Sequence, residues 1–135
     1  MAKLYRSREG EATAVDTKSQ LTTLGSEAAP GPLLVPAGAK TLKAMIVAAC
    51  ESFAAATSFS AFVRLEGPGL PGGPESIAVL AGGAAVATGG NFAIKANEIP
   101  LDIPVTPGNE ILIFAEMCGT DVGAVSFGVT LVFEV

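Results

Sequence analysis

With one exception at Val132, the last twelve residues of the chain alternate between apolar side chains and small or polar ones, and no other feature constrains the fold as strongly. Successive side chains of a β-strand point to opposite faces of its sheet, so a period of two indicates a strand with one buried face. The sequence therefore predicts a half-buried strand at 124–134. The predicted buried face consists of Val125, Phe127, Val129, Leu131, Phe133 and Val135.

Further short strands, separated by turns, are predicted after residue 31. Residues 67–74 are so rich in proline and glycine that neither a helix nor a central strand tolerates them, which predicts a loop. Residues 106–109 place proline and then glycine at the centre of a predicted type II turn. A short helix at 51–57 stays open as an alternative, because 41–57 also satisfies a helical spacing. The predicted strands are 33–35, 41–50, 58–66, 75–80, 92–95, 99–105, 110–117 and 124–134.

Two of the predicted strands begin in similar ways. In each case a strand ends at a valine, Val35 or Val105, and a glycine follows three residues later before the next apolar strand. Two matches do not establish an internal repeat. We interpret them as the same type of turn occurring twice in a single sandwich.

Residues 1–30 differ from the rest of the chain, because they are polar, mixed in charge and without a sustained period. Pro30 and Pro32 hold the chain extended where this segment ends. The sequence therefore predicts an extended N-terminal arm at 1–30 and one β-sandwich domain at 31–135. An arm of this kind becomes ordered where a neighbouring subunit holds it. The residues predicted to make such assembly contacts are Leu4, Tyr5, Arg6, Arg8, Leu21 and Leu24.

Charge is scarce and unevenly distributed. Only 16% of the residues are charged, compared with about 25% in ordinary soluble proteins. Residues 31–135 carry nine acidic and four basic side chains, which accounts for the whole net charge of −5. A domain with so few charges has an apolar surface. Association with other subunits is the simplest way to remove that surface from water. Its acidic balance disfavours nucleic acid, because phosphate binding needs clustered lysine and arginine.

The sequence also bears on location. No apolar leader opens the chain, so we expect synthesis in a cytoplasm without a cleaved signal peptide. Cys50 and Cys118 are then expected to be reduced and to behave as small buried hydrophobes. Residues 76–94 carry no charge over the length of a spanning helix, but their glycines favour two strands joined by turns instead.

Side chains suited to catalysis or metal binding are sparse. There is no histidine, which excludes an imidazole base, a Ser-His-Asp triad and a histidine-ligated metal. A GxGxxG match at 67–72 contains prolines and precedes no predicted helix. Glu110 and Glu116 lie roughly 20 Å apart along one predicted strand, too far for a glycosidase pair. We therefore predict no enzyme, no cofactor and no metal. The acids predicted in or near loops, which lack cation-ligand spacing, are Glu98, Asp102 and Asp121.

The plan of the chain resembles a known class of proteins. A polar arm leads into an eight-strand series that begins with LLVPAG at 33–38 and ends with FGVTLVFEV at 127–135, and the 106–109 turn opens the penultimate strand. This resembles the single jelly-roll proteins of viral and phage virions, both coat subunits and decoration (cement) proteins. The resemblance implies a single jelly-roll-like antiparallel β-sandwich. It also implies a closed homo-oligomer, usually a trimer, whose arms cross to neighbouring subunits.

The expected function is that of a structural virion protein, a self-assembling capsid or capsid-decorating subunit. Its expected partners are copies of itself and a capsid lattice, without a membrane. Many coat proteins that contact genomes have strongly basic arms, whereas this arm is neutral, which favours an outer or decorating role. One alternative is a carbohydrate- or ligand-binding sandwich, although aromatic residues outside predicted core positions are few. Another is a filament subunit whose arm donates a strand to the next sheet.

Overall fold

A computed structural model of the 135-residue chain describes residues 2–12, 17, 19–22, 31–51, 58–68, 70, 77–80, 94–120 and 125–135. Within these ranges the regular structure consists of antiparallel β-strands, without a helix. The prediction of an all-β antiparallel sandwich is therefore confirmed. The strands are β1 (Lys3–Ala12), β2 (Ser19–Gln20), β3 (Leu33–Leu34), β4 (Thr41–Glu51), β5 (Ser58–Glu66), β6 (Ile77–Leu80), β7 (Ile94–Pro104), β8 (Glu110–Thr120) and β9 (Val125–Glu134).

The strands form two sheets that share one hydrophobic core. The first sheet has the order β1-β9-β4-β7. The second sheet has the order β2-β8-β5-β6, and β3 also pairs with β8. Met45 and Leu131 of the first sheet lie in the same buried cluster as Leu65 and Ile113 of the second. The two sheets therefore pack face to face.

The strand pairs are nested within one another along the chain. β1 pairs with β9, β2 and β3 pair with β8, β4 pairs with β7, and β5 pairs with β6. Two further pairings, β4 with β9 and β5 with β8, join these hairpin-like pairs side by side into the two sheets. The first and last strands are thus neighbours, and the Val135 N–H donates to the Ala2 carbonyl at 3.1 Å.

The alternation predicted for the last strand is present in β9. Ser126 on the opposite face is exposed, as the pattern predicts. Val132 also lies on that opposite face, yet it is only 5% exposed, which the pattern did not predict. Val135 is half-buried. The core-facing residues that are fully or almost fully buried are Phe127, Val129, Leu131 and Phe133.

The strands predicted separately at 92–95 and 99–105 need correction, because one continuous strand, β7, runs through 94–104. Among the described strands β7 pairs with β4 alone, and such an edge position tolerates proline and polar residues, which in the sequence indicate turns. The pairing also contains a β-bulge, in which Leu101 and Asp102 lie opposite the single residue Lys43.

The predicted N-terminal arm also needs correction. All ten positions of β1 pair with β9, so residues 3–12 form an edge strand of the first sheet. β2 pairs with β8, and Leu21 beside it is buried in the core. Polar residues suffice for β1, because an edge strand is held largely through backbone hydrogen bonds along one side.

The second sheet's outer strand is interrupted. β2 and β3 follow one another along the same side of β8, and the Leu21 N–H continues this pairing by donating to Ile113 at 2.8 Å. The Gly31 N–H donates to the Thr22 carbonyl at 3.3 Å. This hydrogen bond joins the end of the β2 segment to the residues that precede β3.

The two similar strand starts are matching turns. At 36–39 and at 106–109 the third-position glycine has a φ of +84° and +88°, and the fourth residue's N–H donates to the first residue's carbonyl at 3.2 Å. The predicted turn at 106–109 is confirmed, because a type II turn needs a positive φ at that position. The turns lie side by side, since Val35 exchanges two hydrogen bonds of 2.9 Å with Gly108 and Asn109.

Some predictions fall outside the described residues. They include the alternative helix at 51–57, apart from its first residue, and most of the uncharged stretch at 76–94, of which 77–80 forms β6 and residue 94 begins β7. Within the part of the chain that the structure describes, no helix is long and apolar enough to cross a bilayer.

Candidate assembly surface

A row of uncharged residues crosses the outer face of the first sheet from edge to edge. Residues directly opposite each other in neighbouring strands lie on the same face. Tyr5 lies opposite Val132, Val132 opposite Ala44, and Ala44 opposite Pro100. Tyr5 is 54% exposed, one of the two exposed large hydrophobic side chains among the described residues. We call these four residues the Tyr5 row.

A recess of about 430 Å³ opens on this row. Val132 and Ala44 form its floor and are only 5% and 7% exposed. Pro100 completes the apolar part of its lining. The recess therefore has an apolar floor and a charged rim. The rim residues are Lys3, Lys43 and Glu98.

Next to the Tyr5 row, the two central strands present small or uncharged residues to the same side. On β9 and β4 these positions pair Thr130 with Ile46 and Gly128 with Ala48. The Ser7 and Thr130 hydroxyls form a 2.8 Å hydrogen bond that links β1 to β9 on this face. The middle of the outer face therefore lacks charge over these rows.

The bulge between β4 and β7 adds one ion pair at the end of this face. Lys43 Nζ lies 3.2 Å from Asp102 Oδ1. Both side chains are substantially exposed, so the pair contributes little to stability. Asp102 and Glu98, predicted in or near loops, instead lie within β7.

The structure distributes the predicted assembly residues over different environments. Leu4 packs against the core cluster and Leu21 lies within it. Arg6, on the same side of β1 as Leu4, is exposed and donates to the Tyr5 carbonyl at 2.9 Å. Leu24 lies outside the described residues. Tyr5 is therefore the one member of the predicted set that the described residues place on the outer face, and the set's role in assembly stays a prediction.

Arg8 ties β1 to the residues that immediately precede β3. Its guanidinium donates from Nε to the Gly31 carbonyl at 3.0 Å and from Nη2 to the Pro32 carbonyl at 3.3 Å. Burial of the guanidinium, and secondly the charge of Arg6, lower the pKa of Arg8. Arginine nevertheless stays protonated in proteins, so this group does not titrate in the working range of pH. Its role in the described structure is to close the edge between the sheets.

The acids considered at the sequence level form no chemical site in the described residues. Glu110 and Glu116 lie at opposite ends of a seven-residue stretch of β8 and point to the outer side of the second sheet. Asp121 is outside the described ranges. Among the residues that the structure describes, no group of three or more His, Cys, Asp or Glu side chains is placed to hold a metal ion.

Comparison with known proteins gives weak likenesses. No protein-family model matches the chain, and no curated protein matches it. A solved structure of Bacillus endospore appendages, described as disulfide-linked pili, matches at 12% identity and a TM-score of 0.36, over 98% of this chain and 88% of that one.

Two structures of infectious bursal disease virus also match. The Gx strain gives 14% identity and a TM-score of 0.37 over 98% of this chain, and the Gt strain gives 17% and 0.35 over 95%. This chain spans 35% and 32% of the length of those two viral chains. At TM-scores below 0.5, these likenesses assign neither a family nor a function.

Proposed function

We propose that this protein is a non-catalytic structural subunit that assembles with copies of itself, as a capsid coat or capsid-decorating (cement) subunit of a viral or phage virion. The nested strand pairing supports the jelly-roll form of the sandwich, which is built from two Greek keys. Because one fold serves many functions, the proposal depends on the surface described above.

The observation that carries the proposal is the outer face of the first sheet. The middle of its central strands presents uncharged residues, and the Tyr5 row adds an exposed aromatic ring beside a recess with an apolar floor. Apolar surface removed from water contributes about 25 cal/mol per Å². An exposed face of this kind favours association, in keeping with the low charge of the whole chain.

The edge strands of the first sheet favour assembly through faces over assembly by strand addition. β7 contains Pro100 and Pro104, which cannot donate to a further strand. β1 carries charged side chains along its length, which protect an edge against pairing. This supports a closed oligomer, a trimer in the first instance, or a lattice, over a filament built by strand donation.

Light scattering coupled to size exclusion, over a range of protein concentrations, tests the proposal together with negative-stain electron microscopy. We expect a mass above that of one chain, and closed particles or a regular lattice. A monomer at every concentration, with no binding to a capsid lattice, would contradict the proposal. Filaments would favour strand donation, and a monomer that binds a glycan array would favour the carbohydrate-binding alternative.

A further inference from the structure

We infer that the outer face of the first sheet is a two-fold contact surface between two copies of this chain, with the axis in the contact plane and parallel to the strands. This inference rests on the proposed function and names one surface that joins copies in pairs, whereas a trimer would use a further, three-fold contact. In such a contact the same patch is used by both copies, so it must be complementary to itself. Four observations support self-complementarity.

The first observation is the register of the four strands. A rotation of 180° about an axis midway between β9 and β4 places β1 of one copy over β7 of the other, and β9 over β4. Because the axis is parallel to the strands, each residue keeps its height along the strand direction. Tyr5 of one copy then lies over Pro100 of the other, and Val132 over Ala44. The whole Tyr5 row therefore meets itself, with no charged group in it.

The second observation is the recess. The Tyr5 ring of one copy would lie over Pro100 of the other, at the side of the recess next to Ala44. A buried tyrosine hydroxyl requires a hydrogen-bond partner. The Glu98 carboxylate on the rim supplies an acceptor for that hydroxyl.

The third observation is charge complementarity. The same superposition places Lys3 of one copy over Pro104 of the other, two residues along β7 from the exposed Asp102. It places Lys43, in the bulge of β4, within two residues of Glu134 along β9. Both encounters join opposite charges, and two-fold symmetry makes each occur twice.

The fourth observation is the shape of the face. Gly128 lies in a central strand, where glycine is unfavourable, and a Cβ built on it meets no atom within 4 Å. The φ angle of Gly128 is not positive, so its backbone conformation is open to other residues. Because the space above it is also open within one chain, glycine is explained there by the close approach of a second sheet.

The area is sufficient for a specific contact. Four strands about 4.8 Å apart and ten or eleven residues long, at about 3.3 Å per residue, present roughly 600 Å². Two copies would together bury roughly 1,200 Å², the lower limit for a stable protein interface.

Sedimentation equilibrium of the full chain tests the surface with three variants. We expect Tyr5→Ser and Gly128→Val each to weaken self-association by about tenfold or more. Leu34→Ser is the matched control, because Leu34 is also 54% exposed but lies on the outer side of the second sheet. We expect it to leave the dissociation constant within about twofold of the wild-type value.

Thermal unfolding at low concentration separates lost association from lost folding. Valine is favoured in strands and its side chain has open space at position 128, so Gly128→Val is expected to unfold at or above the wild-type temperature. Tyr5→Ser changes an exposed side chain and provides an independent measurement if the valine variant does not fold.

Self-association of the wild type with unchanged constants in both variants would overturn this surface and leave the proposed function standing. A larger effect of Leu34→Ser than of Tyr5→Ser would also overturn it. A wild type that remains monomeric would overturn the surface, and it would overturn the proposed function as well if it also failed to bind a capsid lattice.

Discussion

Replacing Leu131 with alanine tests whether β9 has one face that is buried far more deeply than the other. Leu131 is fully buried, lies opposite Met45 and belongs to a strand that is paired on both sides. The substitution removes three buried carbons, which at about 0.8 kcal/mol each amount to roughly 2.4 kcal/mol. The residual cavity raises the loss to roughly 3–5 kcal/mol, because neighbouring strands on both sides prevent collapse.

Urea unfolding followed by circular dichroism measures this loss, at concentrations where the protein is monomeric, since association itself adds stability. For a domain of this size, about 4 kcal/mol corresponds to a fall in Tm of roughly 10–15 °C. Ser126→Ala is the matched control on the exposed face of the same strand, and its effect should stay within about 0.5 kcal/mol. Val132→Ala removes two carbons from the floor of a recess open to solvent and should cost about 1–2 kcal/mol.

The test depends on which of the three substitutions lowers the free energy of unfolding most. If Val132→Ala or Ser126→Ala destabilises the monomer as much as Leu131→Ala, β9 is enclosed on both faces within one chain and the outer face is not available for assembly. If Leu131→Ala costs less than about 1 kcal/mol, the assignment of that side chain to the centre of the core is wrong.

Deleting residues 1–12 should lower the free energy of unfolding and increase turbidity on heating, because it uncovers the edge of β9. A truncated chain as stable and soluble as the full one would show that β1 is dispensable. Gly67→Ala should cost more than about 2 kcal/mol in urea unfolding, since the new Cβ would overlap the Glu110 carbonyl oxygen, and a neutral result would contradict that close approach. Arg8→Ala should cost about 1–3 kcal/mol through its lost carbonyl contacts, again measured in urea. Asp102→Asn should change the unfolding free energy by less than about 0.5 kcal/mol, at low and at high salt alike, because its ion pair is exposed.

The elements that the sequence predicts well are those determined by neighbouring residues. In β9 the alternation of side chains directly reports which face is buried, and the buried residues from Phe127 to Phe133 follow it. In the turn at 106–109, glycine stands where a positive φ is required. Both signals are contained in a few consecutive residues, so no knowledge of the rest of the fold is needed to read them.

The N-terminal strand could not be predicted in the same way. β1 is held by pairing with β9, and its contact between Ser7 and Thr130 joins residues 123 positions apart. Leu21 is buried for a similar reason, because β8 lies beside it. Such pairing leaves no period in the local sequence, since backbone groups make it and every residue except proline has them.

The candidate surface was accessible to sequence reasoning only in part. Tyr5 is recognisable as an apolar residue in a polar segment. Its row partners are not, because the alignment of Ala44 with Pro100 depends on the bulge at Lys43. A shift of one residue in that register would move the opposite side chains to the other face of the sheet.

The nesting of the strand pairs also affects how the chain finds its fold. Closing a loop costs entropy that grows as about (3/2)RT ln n, where n is the number of residues in the loop. Once β5 meets β6, the ends of β4 and β7 are held near each other, and each outer pair in turn closes over a short remaining gap. The pairing of β1 with β9 then spans few free residues, despite its separation along the chain. A topology dominated by distant contacts, which ordinarily folds slowly, thereby has a route composed of small closures, and along this route β1 would join the sheet last.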